Sequence, residues 1–592
     1  MKLTRGQWIA LAISLLMALP ALSVGYYADD WIHEARQQGL VHGFGPTWTG
    51  LFEFARAGEV GGTPGPSEWW ASEIVKVRFF RPLTSITVAL DHKLGPVLGH
   101  VHGLLWFSLL VWLAARWLRR VLPERDATIA TFIYAMGEHH AATYTWISGR
   151  TSALVGALSL LTLEAHGRDR DDGRAVSWWG SLCFVLALGG GEGSLGVLAW
   201  LFAFEWLRAR QEARALSLPA LSRSLGSYAL IALAYLAYYS RAGYGTLGSA
   251  AYRNPITDPI SFAMAAPQRA VMLVGDAFTG APSDFHTITA GAFRASIVWG
   301  VFIAIALLLL VLRLRKRASD GDRALMDVML LGFFASMAPG LGAPPGGRVL
   351  VLSALGSSSL LAMLFVRARE SWRSDRSTRA RVAMVMVGVF HFALAPMLRL
   401  VQPAALRPVV LAHQQMTQKS RLEPHCARTD EVLLLAAPDP IPGLYGNVVW
   451  NVYRRDEVRL FRTLSATPAD HELARIDANT IELAPIATTF LQHPLEQLVR
   501  DPRQSIGLGA EFALRREGPL APFPGEGRYR ATVRVVEMRD GYPAKIRVTF
   551  NGPIEGAGVC FATGFAGAIR SMPIPPVGAR VRLQYAPGAM GL

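Results

Sequence analysis

Two adjacent carboxylates, Asp29 and Asp30, follow directly on the first long apolar run, in the stretch GYYADDWIHEARQQG. A carboxylate held where a membrane span meets water can remove the proton of an acceptor hydroxyl that comes within hydrogen-bond reach. Neighbouring side chains leave a helix or strand on different sides, so only one of the pair is expected to reach a reaction centre. Further on, Arg81 lies in the same loop, Glu138, His139 and His140 end one apolar run, Arg150 opens another, and Glu192 sits among glycines between two more. Each has a plainer reading beside the chemical one. The acidic pair can be a solvated helix end, Arg81 a headgroup anchor, Glu138 and His140 hydrogen-bonded structural groups, and Glu192 a water-facing loop residue. Arg150 stands at an outer boundary, where basic residues are disfavoured, so a specific acidic partner or ligand is expected for it. Adjacent histidines rarely turn both rings to one ion, and three cysteines give no ligand framework, so no metal is expected.

The elements that must hold these residues are membrane helices. Of 592 residues 51% are hydrophobic and only 17% charged, against about a quarter charged in soluble domains. Apolar runs read as crossings of a ~30 Å hydrocarbon core fall near 8–27, 100–118, 127–143, 150–165, 176–191, 193–207, 224–240, 295–313, 324–339, 349–366 and 382–398. The fold class expected is an α-helical multispan membrane protein of about eleven spans. Arginines crowd the connections after every second run, among them Arg116, Arg119, Arg120, Arg168, Arg170, Arg208, Arg210, Arg315, Arg369 and Arg373. This asymmetry predicts a cytoplasmic N-terminus, with everything beyond residue 399 extracytoplasmic. The net charge of +15 is thereby accounted for at the membrane. No basic stripe interleaved with aromatics occurs in the soluble part, so nucleic acid is not an expected partner. Residues 1–24 resemble a signal peptide and are read as an uncleaved anchor.

The outer loops at about 28–99 and 241–294 carry interrupted amphipathic segments, RPLTSITVALDHKLG and PQRAVMLVGDAF, which suit helices at the membrane surface. The chain divides into a membrane domain at 1–398, a linker at 399–430 and a mostly-β extracytoplasmic domain at 431–592. EVLLLAAPD reads as a buried strand, TIELAPIATTF, YRATVRVVEM, AKIRVTF and ARVRLQY as further strands, and Asp540-Gly541 as a hairpin turn. Cys426 and Cys560 are free to form one disulfide in an oxidising compartment.

Four segments taken in order resemble the GT-C superfamily of polyprenyl-phosphate-sugar glycosyltransferases, with the nearest likeness to the transmembrane O-mannosyltransferases that carry tetratricopeptide repeats and to their bacterial relatives. They are ADDW at Asp29-Asp30; FFRPLTSITVALDHKLGPVLGHVH, with Arg81, Pro82, Leu83, Asp91 and His102 matching; EHHAATYTWISGR, with His140, Gly149 and Arg150 matching; and GGGEGSLGVLAWLF, with Glu192 matching. The likeness covers about 1–370. Departures stand at Gly137-Glu138, in place of His-Pro, at Ala142, in place of Glu, and at Gly191, in place of Lys; no tetratricopeptide repeats follow. The resemblance implies sugar transfer outside the membrane, from a polyprenyl-phosphate-linked sugar to a protein or envelope-glycan acceptor. Asp29, by its place in the motif, is the preferred base and Asp30 the alternative. Arg81 implies phosphate binding, since a guanidinium offers bidentate donors and stays charged, and Glu138, His140, Arg150 and Glu192 join it as substrate-binding residues. The lipid-phosphate sugar is the donor substrate, and no other cofactor is implied. The arginine-, alanine- and glycine-rich, lysine-poor usage points to a high-GC bacterium and hence to a cytoplasmic (inner) membrane.

Two other classes remain. A transporter or flippase of a lipid-linked substrate would suit many spans, but matched half-repeats of interrupted helices are not evident. A non-catalytic anchor displaying the β-rich domain is the other, and the motif departures keep it open.

Overall fold

The computed structural model describes residues 2–40, 48–55, 68–71, 74–284, 290–423, 426, 431–438, 440–454, 460–493, 496, 500–501, 503–514, 531–556 and 559–588 of the 592. The chain forms two compact units. Met1–Val24, Phe79–Tyr244 and Asp258–Ala405 make the first, and Gly25–Arg78, Gly245–Thr257 and Leu406–Leu592 the second.

The first unit is helical. By length and composition, six helices among the described residues are able to cross a membrane: Arg5–Ser23, Pro96–Val121, Leu218–Arg241, Gly291–Lys316, Asp320–Gly342 and Thr378–Lys419. The other apolar runs take different forms. The run at 127–143 breaks at Gly137 into the helix Glu124–Met136 and the 3-10 turn Glu138–His140. Those at 176–191 and 193–207 give helices of 13 and 15 residues, Trp178–Gly190 and Val197–Gln211, short of the ~20 residues of a full crossing. Those at 150–165 and 349–366 lie in Thr151–Asp171 and Ala354–Asp375, which are long enough but charged over their last turns.

Local chemistry sets the helix ends that matter for the site. Thr4 and Gln7 form a capping box under the first helix. Pro82 and Pro96 occupy first helical positions, where the missing N–H is no loss. Between them Gly95, at φ 89, makes a reversal that a side chain would strain. The core gathers Trp117, Trp200, Phe333 and Leu355; Trp200 Nε1 donates to the Leu352 carbonyl at 3.1 Å and Tyr134 Oη to that of Val351 at 3.0 Å. Arg399, fully buried, donates to the carbonyls of Ser14 (2.6 Å) and Ala135 and to Tyr144 Oη (2.8 Å). One cation thereby ties together three segments of the first unit.

The second unit is built on β-sheets, as the alternating C-terminal segments predict. An antiparallel sheet runs in the order Arg580–Leu583, His471–Arg475, Thr480–Pro485, Tyr542–Phe550, Ala531–Arg539, Glu511–Leu514. The hairpin between Ala531–Arg539 and Tyr542–Phe550 turns on Asp540 and Gly541, both at positive φ, which is the backbone that Asp-Gly favours. A second sheet runs Ala568–Ser571, Val559–Phe565, Glu431–Leu434, Leu460–Thr463. Its last two strands are parallel and joined through a helix, Pro440–Tyr453, which strand periodicity did not predict. Residues of the two long loops at about 28–99 and 241–294 belong to this unit as well, in the strands Glu53–Ala55, Lys76–Arg78 and Gly245–Leu247 and in the helix Asp29–Gln37. That helix packs on Pro440–Tyr453 around Trp31, Val449 and Trp450. Cys426 and Cys560 form a disulfide. Of the expected linker, 399–419 lie in the helix Ala395–Lys419, and 424–425 and 427–430 lie outside the described residues.

Candidate active-site residues in the two units

In the second unit, Asp29 and Asp30 occupy the first turn of the helix Asp29–Gln37, where unpaired backbone N–H groups favour negative charge by about 0.3–1 kcal/mol. The helix opens from Ala28 at φ 50, ψ −126, a conformation that a side chain resists. The pair divides as helical geometry requires. Asp30 is fully buried, and its Oδ2 accepts the Tyr27 N–H at 3.4 Å. Asp29 is half-buried, and its Oδ1 accepts the hydroxyl of Tyr445 at 2.9 Å. Trp31, one residue on, is walled by Tyr26, Tyr453 and His413.

In the first unit, Arg81 caps the helix Pro82–Leu94 and faces Glu192, which opens the turn Glu192–Gly196. Nε donates to Oε2 at 3.2 Å, and Nη2 donates to Oε1, a two-point fork. The Phe79 ring lies 4.4 Å below the guanidinium. A Cβ at Gly191 would come within 3.4 Å of Arg81 Nε.

Arg150 is fully buried and paired with Asp91, and its Nη1 donates to the Gly99 carbonyl at 3.3 Å. The acidic partner expected for it is therefore Asp91. Asp91 also binds His102 Nδ1 at 2.8 Å, while Trp106 Nε1 donates to His102 Nε2 at 3.0 Å. Because an indole only donates, the His102 proton sits on Nδ1 and points at Asp91.

Glu138, His139 and His140 are buried in one turn. Glu138 Oε2 and both ring nitrogens of His140 have no hydrogen-bond partner among the described residues. The turn packs against Gly347–Leu350 so tightly that a Cβ at Gly347 would lie 2.5 Å from His139 Cα. Asp276 and Asp284 act on Glu138 electrostatically. Asp276 accepts Ser283 N–H and Oγ at 2.9 and 2.7 Å, and Asp284 accepts the Gly347 N–H at 3.1 Å and faces Arg348 at 3.6 Å. Among the described residues no group of three or more His, Cys, Asp or Glu could hold a metal ion.

Within the first unit, then, Arg81 meets Glu192, Glu138 and His140 share a second group, and Arg150 belongs to a third centred on Asp91. Asp276, Asp284 and Arg348 were not singled out from sequence. Arg348, like Arg150, stands directly at the start of an apolar run.

No protein-family model and no curated protein matches the sequence. Solved structures with some likeness are the Archaeoglobus fulgidus oligosaccharyltransferase in the apo form (TM-score 0.37, 14% identity, 67% of this chain and 56% of that one), the same organism's AglB in complex with an inhibitory peptide and a dolichol-phosphate (0.40, 13%, 78% and 65%), and ArnT from Cupriavidus metallidurans bound to undecaprenyl phosphate (0.34, 12%, 77% and 86%). The chain spans less than two thirds of the length of the two archaeal chains. At these scores and identities the likeness carries no conclusion about activity.

Proposed function

We propose that this chain is an integral-membrane glycosyltransferase that moves a sugar from a polyprenyl-phosphate donor to a hydroxyl of an extracytoplasmic protein or glycan. The acceptor oxygen bonds to the sugar's anomeric carbon as the bond from that carbon to the phosphate oxygen breaks. The phosphate leaves with the electron pair, and Asp29 takes the acceptor's proton. The observation that carries this reading is the division within the acidic pair: Asp30 is sealed in the interior, while Asp29 is half-buried at a helix N-terminus with one oxygen held by a phenol. Such a carboxylate is oriented for an incoming hydroxyl. Arg81, its fork pre-set by Glu192, is assigned to the donor phosphate, with Arg348 as a second cation; such groups stabilise the charge that develops on the leaving group. Arg150, whose charge Asp91 already answers, is assigned to holding the outer turns rather than to substrate.

The compartment follows from two supports. A disulfide in the second unit suits an oxidising side, and the arginine-rich connections suit a cytoplasmic N-terminus in a bacterial inner membrane. The test offers membranes containing the full chain or its variants a panel of labelled polyprenyl-phosphate sugars and measures transfer. Asp29→Asn and Arg81→Ala are expected to lose transfer by about 10²-fold or more. Undiminished transfer by Asp29→Asn overturns the assignment of the base, and an intact chain inert toward every donor favours the anchor or transporter.

A further inference from the structure

The C-terminal part of the chain supplies a group to the acidic pair. The geometry points to Tyr445 as the positioning residue of Asp29: a phenol on the helix Pro440–Tyr453 that fixes the carboxylate's orientation and favours its ionised form. This rests on the reading of Asp29 as the base. Tyr445 Oη donates to Asp29 Oδ1 at 2.9 Å across 416 positions of sequence. The two helices share one apolar core, with Trp31 against Val449 and Trp450, so the contact is set by packing rather than by a chance encounter of surface groups. Burial of the hydroxyl end and the neighbouring Asp29 hold the Tyr445 pKa well above that of a free phenol; the group therefore remains a donor throughout the working range. Several charged and titratable groups lie close to this pair. Asp30 lies beside Asp29 on its own helix, Tyr252 and Asp30 both act on Tyr445, and the His413 ring lies 6.5 Å from that of Tyr445. Two adjacent carboxylates repel, and a hydrogen bond to the charged form offsets that repulsion. The β-rich unit is on this account part of the catalytic apparatus, tuning the base through one hydroxyl.

The test needs no knowledge of the sugar. Infrared difference spectra of the full-length protein in nanodiscs, referenced to Asp29→Asn, follow the Asp29 carboxyl as pH is varied. Tyr445→Phe keeps the ring and removes the donor, and it is expected to raise the Asp29 midpoint by about one pH unit. Tyr453→Phe, a matched phenol on the same helix, is expected to leave it in place. An unmoved midpoint in Tyr445→Phe, or an equal movement in both variants, overturns the proposal. If Tyr445→Phe does not fold, 3-fluorotyrosine at 445, a stronger donor of the same shape, must lower the midpoint; failure to do so overturns it equally. Transfer by Asp29→Asn tests the base assignment separately, so either claim can fall alone.

Discussion

Arg81 and Glu192 stand 111 positions apart in sequence and meet fork to carboxylate, Nε to Oε2 at 3.2 Å with a second bond from Nη2. Both side chains keep part of their surface, 19% and 27%, so the pair is not sealed into the core as Arg150 and Asp91 are. A guanidinium held in a two-point fork keeps a fixed orientation, which is what the phosphate-binding role proposed for Arg81 requires.

Arg81→Lys separates charge from geometry. The ammonium keeps the charge and loses the fork, and transfer is expected to fall about tenfold, the equivalent of one charge-assisted hydrogen bond. Initial rates at several donor concentrations check this, with Arg81→Ala as the deeper loss.

The Arg150–Asp91 pair behaves differently, because both side chains are almost wholly buried. Removing either partner leaves an uncompensated charge and is expected to destabilise the chain by about 3–5 kcal/mol. Arg150→Ala and Asp91→Ala should therefore reduce the yield of folded protein, measured by fluorescence-detected gel filtration, before any effect on transfer can be assessed.

The Cys426–Cys560 bridge closes a loop of 134 residues, and losing it is expected to cost about 5 kcal/mol. Cys426→Ser and Cys560→Ser should give the same lowered thermal midpoint. In the unreduced, unfolded wild type, Cys183 alone should label with a maleimide.

Glu496 gives a pH signature. Burial pushes its carboxyl up to about 7, although it accepts Thr467 Oγ1 and the His493 N–H. An acid with a raised folded pKa binds more protons folded than unfolded between about 4.5 and 7, so its contribution is full below that window and is lost as pH rises through it. The amount is about 3 kcal/mol. His471, which burial lowers to about 4, works in the opposite direction: its contribution is present above about 6.5 and lost as pH falls toward 4. Glu496→Gln should remove the first limb and leave the second. Thermal midpoints of wild type and variant from pH 4.5 to 7.5 check the sign.

The apolar helices and the C-terminal strands were legible because hydropathy and alternation are local, and Asp540-Gly541 marked its hairpin by turn chemistry alone. The count of crossings was less legible. Gly137 divides one apolar run into a helix and a turn, and composition does not register where a helix ends. The helix Pro440–Tyr453 was missed because its apolar, glycine-containing stretch lies between two short parallel strands, and periodicity cannot separate a buried strand from a short helix.

Residue order by itself set which segments are apolar enough for a membrane, where the arginines gather, and that Asp29 and Asp30 directly follow the first run. The tertiary structure alone decided which carboxylate is sealed and which is held by Tyr445, that Arg81 answers Glu192, that Arg150 answers Asp91, and that Gly25–Arg78 folds with Leu406–Leu592. Patterns of polarity repeat every two to four residues and can be read along the chain. A hydrogen bond between residues 416 positions apart exists only once packing has brought two helices together, and no local pattern encodes that meeting.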